Sequence, residues 1–143
     1  MKDKLIKWIQ NYTEQTNAKG YVLGISGGKD SSVTAALLCE AIGKDKVLGI
    51  LMPNGVQSDI SDSYEVCKVL GIDCQVVNIQ SSYNDIINQI ESVPEVLYPG
   101  DEASYHEVTE INCDTYNVTT ESRINIAPRL RMTTLYAIAQ SRG

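Results

Sequence analysis

The chain has 143 residues, of which 43% are hydrophobic, so it can bury the core of one ordinary domain but is short for a complete multi-substrate enzyme. Its net charge of -6 leaves no broad basic surface, which argues against a nucleic-acid partner and against binding to an anionic membrane.

The pattern of cysteine and histidine argues against a zinc site. Cys39, Cys67, Cys74 and Cys113 never form a C-x-x-C pair, and His106 has no ligand partner at helical spacing. There is no signal-peptide pattern and no apolar run long enough to cross a bilayer. We therefore expect a cytoplasmic protein with free thiols, in which any metal is bound by oxygen. Cys39 and Cys67 lie in apolar helical patterns, which predicts inert packing.

Stretches of helical periodicity alternate with short apolar, β-favouring runs along most of the chain. The predicted order is a helix over 4–16, a strand over 21–25, a helix over 33–41, a strand over 47–52, a helix from Ser58 or Asp59 to Leu70, a strand over 74–79 and a helix over about 83–92. This alternation predicts an α/β fold, a doubly wound parallel sheet with helices on both faces and right-handed crossovers.

The last third of the chain is less regular. Residues 93–118 lose their periodicity and predict a long loop or insertion. A final helix is predicted from Asn125 to Gly143, with Pro128 in its first turn. We expect one domain over 1–143, truncated at its carboxyl end, because three strands make a thin sheet and leave the first strand with an unpaired edge.

The first strand runs directly into a segment rich in glycine and serine, residues 26–32. Glycines let backbone N–H groups approach a phosphate, and the N-terminus of the following helix adds partial positive charge. The hydroxyls of Ser26, Ser31 and Ser32 can donate hydrogen bonds, and Lys29 can add a charge. The segment therefore predicts a phosphate-binding loop.

Two common nucleotide motifs do not fit this loop. A Walker loop would need glycine and a hydroxyl residue where the chain has Leu23 and Asp30, and the dinucleotide pattern fails at Ser26. A carboxylate beside bound phosphate is repelled unless a divalent cation lies between them, so Asp30 predicts Mg2+. The alternative is that Asp30 only favours the helix dipole and that the glycines only form a tight turn.

The segment Ser26-Gly27-Gly28-Lys29-Asp30-Ser31-Ser32 resembles the PP-loop of the N-type ATP pyrophosphatases. Members of that superfamily bind the β- and γ-phosphates of ATP there and release pyrophosphate after transferring AMP. Three stretches, residues 11–25, 51–59 and 125–139, resemble the ammonia-dependent NAD synthetase family in particular. The third stretch, with Asn125, Arg129, Arg131 and Met132, is similar to the family's helix that contacts the nicotinate dinucleotide.

This resemblance implies a reaction, its ligands and a set of residues. ATP would adenylate the nicotinate carboxylate of deamido-NAD with release of pyrophosphate, and ammonia would displace AMP to give NAD. Lys29 and Asp30 would be catalytic, with Asp30 holding Mg2+, and residues 26–32 would bind the ATP phosphates. The resemblance also implies a homodimer. The remaining contacts would be Leu51 and Met52 to adenine, and Arg131, Arg129 and Tyr12 to deamido-NAD.

Some alternatives stay open at this stage. Tyr12 lies on an apolar stripe, so core packing explains it equally well. Arg123, Arg129 and Arg131 are close enough in sequence to suit a small phosphorylated ligand, although ordinary surface ion pairs would also account for them. The chain ends before the family's next strand, which supplies a second metal-binding carboxylate, so the isolated chain should be nearly inactive. Another PP-loop enzyme, such as a tRNA-thiolating or GMP synthetase-like one, and a non-catalytic nucleotide-binding module remain competing interpretations.

Overall fold

Alternating strands and helices fill residues 1–56, 60–92 and 117–143, which are the residues that the computed structural model describes. The elements in chain order are α1 (Lys2–Thr16), β1 (Tyr21–Gly24), α2 (Lys29–Ile42), a short 3-10 turn (Lys44–Lys46), β2 (Val47–Leu51), α3 (Ile60–Leu70), β3 (Asp73–Val76), α4 (Gln80–Ser92) and α5 (Thr120–Arg142).

The three strands form one parallel sheet in the order β1-β2-β3. Gly24 pairs with Ile50, and Leu51 pairs with Val76. This confirms the predicted α/β class. Within the described residues, β1 and β3 are the two edges of the sheet, so the strand that leads into the glycine loop has one unpaired side, as predicted.

Successive side chains of β2 supply the two cores, because neighbouring residues of a strand point to opposite faces. Val47 and Leu51 pack with α1, α2 and α3 on one face. Leu48 and Ile50 pack against α5 on the other face. The β2 strand is buried along its whole length, as expected for a parallel strand covered by helices on both sides.

The third strand begins at Asp73 and ends at Val76, three residues before the predicted end at Ile79. The Val77 amide still donates to the Leu51 carbonyl at 2.9 Å. The next hydrogen bond along the ladder would need an N–H group from Pro53, and proline has none, so the regular strand ends there, although the Ile79 amide still donates to the Pro53 carbonyl at 2.9 Å.

Helix α4 starts at Gln80, earlier than the predicted position near 83. The Asn78 side chain explains the earlier start, because its Oδ1 accepts from the amide of Gln80 at 3.0 Å and from the amide of Gly55 at 3.1 Å. An asparagine that accepts from the second residue after it is a frequent device at helix beginnings.

Helix α5 begins at Thr120, five residues before the predicted start at Asn125. The Thr119 hydroxyl accepts a hydrogen bond from the Ser122 amide at 3.2 Å and caps the helix. Pro128 therefore lies in the third turn, and the prediction that placed it in the first turn is wrong. Its ring nitrogen cannot donate to the carbonyl of Ile124, so one intrahelical hydrogen bond is missing at this point of α5.

Some predictions fall outside the described residues: the cap of α3 at Ser58 or Asp59, most of the loop predicted over 93–118, and the positions of His106 and Cys113. Cys67 is buried and Cys39 is half-buried, and both belong to the core on the α2 and α3 face. The predicted packing role of these two thiols is confirmed.

Candidate functional site

The predicted phosphate loop lies at the carboxyl edge of the sheet, between β1 and α2. The Ile25 amide donates to the Ile50 carbonyl at 2.9 Å and fixes the start of the loop beside β2. Gly27 adopts the left-handed region with φ of 74°, and Gly28 is extended and forms the N-cap of α2. The left-handed residue reverses the chain so that α2 points its N-terminus back toward the end of β1.

Hydroxyl groups hold the loop in this shape. Ser26 Oγ lies 3.1 Å from Ser31 Oγ and accepts from the Gly28 amide at 3.3 Å. Ser31 and Ser32 both donate to the Gly28 carbonyl, at 3.1 and 2.8 Å. The three serines that sequence reasoning assigned to phosphate are therefore also the internal scaffold of the loop.

Backbone amides of the loop remain available to an anion. In residues 1–56, 60–92 and 117–143, the structure records no hydrogen-bond acceptor for the N–H groups of Gly27, Lys29, Asp30 or Ser31. The first amides of a helix have no intrahelical partner, and the helix dipole makes this end positive. Lys29 and Asp30 are exposed, so their charged groups are accessible to a ligand at this end of α2.

The donor chemistry around Asp30 fits a cation that arrives with a polyphosphate. No group of three or more His, Cys, Asp or Glu side chains converges on a metal position in the described part of the chain. Asp30 thus offers a single carboxylate, and the remaining ligands would be phosphate oxygens and water. Mg2+ is commonly bound in this way, through one or two carboxylates together with substrate phosphates.

A cavity of about 430 Å³ opens beside the loop at the ends of β1 and β2. Its walls include Ser26 from the loop, Met52 from the end of β2, Ser63 from α3, and Arg131 and Leu135 from α5. The volume lies within the range of small-molecule sites, and the carboxyl edge of a parallel sheet is where such sites form in α/β proteins.

The predicted arginines do not converge. Arg131 lines the cavity, and its Nε donates to the Met52 carbonyl at 3.0 Å, which joins α5 to β2. Arg129 is exposed and donates to the Asn125 carbonyl of its own helix at 2.8 Å. Arg123 forms an ion pair with Glu91 of α4. Among these three arginines, Arg131 is the one that lines the cavity.

The two predicted adenine contacts lie on opposite faces of the sheet. The Leu51 side chain is almost fully buried and packs in the core with α2 and α3. Met52 points to the α5 face, where its ε-methyl approaches Gly24. Both residues border the cavity. The Leu51 side chain is buried on the α2 and α3 face, whereas the Met52 side chain lies on the α5 face.

Tyr12 lies away from the cavity on the outer face of α1. The residue is 47% exposed, and its ring stacks on Trp8 with centroids 5.5 Å apart and planes at 16°. Core packing, the alternative suggested by its apolar stripe, is therefore wrong, because Ile9 is the α1 residue that enters the core.

Sequence reasoning missed the contribution of α3. Ser63 lines the cavity and is only 2% exposed, which makes it the single buried polar residue in the part of the chain that the structure describes. A Cβ atom added to Gly27 would lie 3.0 Å from Asp62 Cβ and 3.2 Å from the Ser63 nitrogen, so α3 packs directly against the loop. A signal was present in the sequence: Ser63 interrupts an apolar stripe formed by Ile60, Cys67 and Leu70.

Among the described helices, none combines the length and the apolar character needed to cross a membrane.

The sheet, the amide-rich loop at a helix N-terminus and the adjoining cavity define an α/β domain of the nucleotide-binding class. Comparison with known proteins specifies the family. The family model described as NAD synthase matches residues 1–143. The chain therefore belongs to the NAD synthase family.

Relatives and solved structures agree with this assignment. The NH(3)-dependent NAD(+) synthetase of Thermococcus sibiricus is 40% identical over 140 residues, which cover 98% of this chain and 46% of that protein. The enzyme of the same name from Finegoldia magna is 34% identical over 142 residues, covering 99% and 48%. The structure of the NH3-dependent NAD synthetase from Campylobacter jejuni matches with a TM-score of 0.75 and 27% identity, covering 97% of this chain and 50% of that one. The chain thus spans about half the length of the relatives that it matches.

Proposed function

We propose that this chain forms the ATP-binding part of an ammonia-dependent NAD synthetase, which converts deamido-NAD to NAD. The observation that carries the proposal is the loop at residues 26–32, with its unpaired amides at the N-terminus of α2, in a chain that matches the NAD synthase family over its whole length. We also propose that residues 1–143 fold as one domain, with 93–118 as a loop or insertion within it.

In the proposed reaction, a carboxylate oxygen of the nicotinate group attacks the α-phosphorus of ATP, and the bond to the β-phosphate breaks. Pyrophosphate leaves, and the nicotinate becomes an acyl adenylate. Ammonia then attacks the acyl carbon, a proton is lost from nitrogen, and AMP departs with the former carboxylate oxygen. The products are NAD, AMP and pyrophosphate.

The loop residues would act by holding charge. The amides of Gly27 and of residues 29–31, with the Lys29 ammonium, would bind the β- and γ-phosphates and stabilise the charge that grows on the departing pyrophosphate. Asp30 would hold Mg2+, which supplies further charge neutralisation when bound. Ser26, Ser31 and Ser32 would keep the loop in shape, and hydroxyls that turn toward the ligand would donate hydrogen bonds to phosphate oxygens.

Substrate contacts are proposed on both sides of the cavity. Met52, with the backbone of Leu51, would border adenine. Arg131 would meet a phosphate or carboxylate of deamido-NAD, and Arg129 would do so only from the outer surface of α5. Tyr12 would contact deamido-NAD across a homodimer interface, since the outer face of α1 carries an exposed Trp8–Tyr12 stack. Neither nucleic acid nor a membrane is proposed as a partner, and the proposed location is the cytoplasm.

A neighbouring substrate is a second candidate. The structure of NMN synthetase from Francisella tularensis matches this chain with a TM-score of 0.73 and 26% identity, covering 98% of this chain and 49% of that one. Amidation of a nicotinate mononucleotide would use the same phosphate loop and the same ammonia chemistry. The two candidates differ in whether the substrate carries an adenylate half.

Calorimetry tests the phosphate loop in the 143-residue chain. We expect MgATP to bind, and we expect Asp30→Asn to weaken that binding at least tenfold. The matched control is Asp45→Asn, an exposed acid in the 3-10 turn, which should change nothing. Equal affinity for MgATP in the unchanged chain, Asp30→Asn and Asp45→Asn would contradict a role of the loop in binding ATP.

The full-length protein tests the reaction. Pyrophosphate release should require both ammonia and deamido-NAD, and exchanging deamido-NAD for the deamidated mononucleotide separates the two candidate substrates. ATP binding without release under either condition would favour a non-catalytic module. Release that depends on another acceptor would favour a different PP-loop enzyme.

A further inference from the structure

Two free thiols meet on the side of α3 that faces the sheet. Cys67 lies near the end of α3 and is 2% exposed, whereas Cys74 is the second residue of β3 and is half-buried. Only six residues lie between them in sequence, and the turn that they form passes through Gly71 with φ of 66°. The chain therefore reverses between α3, which carries Cys67, and β3, which carries Cys74.

The position of Gly49 on β2 explains why the thiols approach each other. A Cβ atom at Gly49 would lie 3.1 Å from Cys67 Sγ, so the missing side chain leaves the space that this sulfur fills. Gly49 pairs in register with Cys74 on the neighbouring strand. Residues paired across parallel strands project to the same face of the sheet, so Cys74 points toward the same layer as Cys67.

Solvent reaches this pair from the outside. A surface depression of about 440 Å³ is lined by both thiols, together with Tyr64, Glu65 and Ile72. Burial, together with the adjacent Cys74 thiol, raises the pKa of Cys67 to about 11. Cys67 is therefore a protonated, poorly nucleophilic thiol at neutral pH, and Cys74 is the more accessible sulfur for an oxidant.

We propose that Cys67 and Cys74 form a reversible intramolecular disulfide and that the oxidant is hydrogen peroxide. Cys74 sulfur attacks one peroxide oxygen, the O–O bond breaks, and water leaves after taking up the thiol proton; Cys74 becomes a sulfenic acid. Cys67 sulfur then attacks Cys74 sulfur, its proton goes to the departing hydroxyl, and a second water leaves. Two thiols and one hydrogen peroxide give one disulfide and two waters, and an external dithiol reverses the reaction.

This modification would act on the wall of the cavity that Ser63 lines. Ser63 precedes Cys67 by one helical turn on the same face of α3, and its backbone nitrogen packs against the loop at Gly27. A disulfide would fix the end of α3 to β3 and restrict the helix that forms this wall. The chemistry of the thiol pair does not depend on the proposed NAD synthesis.

Peptide mapping of the 143-residue chain after hydrogen peroxide treatment tests the pairing. Trypsin separates the two thiols at Lys68, and cleavage at Glu91 separates Cys74 from Cys113. We expect a linked pair of peptides containing Cys67 and Cys74, with Cys39 and Cys113 still free. A disulfide that involves Cys39 or Cys113 instead, or none at all, would overturn the proposal.

Single variants in a Cys39→Ser, Cys113→Ser background test the order of events. Cys67→Ser should react with peroxide at the unchanged initial rate but stop at a sulfenic acid on Cys74, which dimedone traps. Cys74→Ser should react at least tenfold more slowly. Equal rates for the two variants would contradict the assignment of Cys74 as the first sulfur attacked, and near-unchanged circular dichroism would confirm that both remain folded.

Discussion

The two neighbouring glycines of the loop differ in backbone conformation, which makes them a matched pair for substitution by alanine. Gly27 has φ of 74°, a region that costs an L-residue roughly 1–2 kcal/mol. Its added Cβ would also lie within 3.0 Å of Asp62 Cβ and 3.2 Å of the Ser63 nitrogen, and overpacking of this kind costs about 1–3 kcal/mol. We therefore expect Gly27→Ala to lower the free energy of unfolding by roughly 2–5 kcal/mol.

Gly28→Ala should be much milder. Gly28 is extended at φ of -76°, and the nearest obstacle to a Cβ is the Ser26 hydroxyl at 3.3 Å, which can rotate. Loss of glycine at an N-cap costs roughly 0.5–1 kcal/mol. Urea unfolding followed by circular dichroism measures both changes, and the slope with urea should stay constant. A difference between the two variants below about 0.5 kcal/mol would refute the reasoning that Gly27 is strained against α3.

Three further predictions follow from side-chain contacts. Arg131→Ala should reduce the free energy of unfolding by about 1–2 kcal/mol more than Arg129→Ala, because only Arg131 bonds a part-buried carbonyl of another element; urea unfolding decides, and equal losses would contradict it. Glu91→Gln should cost about 0.5–1 kcal/mol in low salt and less in 1 M salt, since the Arg123 pair is partly exposed; a loss that salt leaves unchanged would contradict an electrostatic origin. The pKa of Cys67 is raised from 9.0 to about 11 in the folded chain, so the unfolded chain loses this proton at lower pH. The free energy of unfolding should therefore fall between pH 9 and 11, by at most roughly 3 kcal/mol. Cys67→Ala should remove that part of the pH dependence.

The phosphate loop could be predicted from sequence because its signals are local. A β-favouring run, two glycines with hydroxyl neighbours and a helical pattern follow each other within residues 21–41, and each constrains the next. The same locality explains why the α/β alternation and the two packed cysteines were predicted correctly. Residues that act through local backbone geometry are the ones that a single sequence specifies best.

The contributions of Ser63, Arg123 and Thr119 depend on contacts that sequence spacing does not reveal. Ser63 faces the cavity because α3 packs on Gly27, which is a distant contact in sequence. Arg123 lies close to Arg129 and Arg131 in sequence, yet it forms an ion pair with Glu91 of α4 and does not line the cavity. Glu91 precedes residues 93–116, so sequence spacing does not reveal this contact. Thr119 caps α5 where the preceding residues have no periodicity to mark a boundary.

The carboxyl end of β2 explains how these separate elements form one site. Four consecutive carbonyls, of residues 50 to 53, accept hydrogen bonds from the Ile25 amide, the Val77 amide, the Arg131 side chain and the Ile79 amide, at 2.9, 2.9, 3.0 and 2.9 Å. The first bond positions the phosphate loop, the second and fourth position the chain that enters α4, and the third positions α5. Three of the four donors are backbone amides, which survive any side-chain substitution except proline. Arg131 is the one donor in this set that an ordinary substitution removes. Its loss would loosen the α5 wall of the cavity, which the apolar packing of Leu130 and Leu135 would still hold against the sheet, and would leave the loop in place.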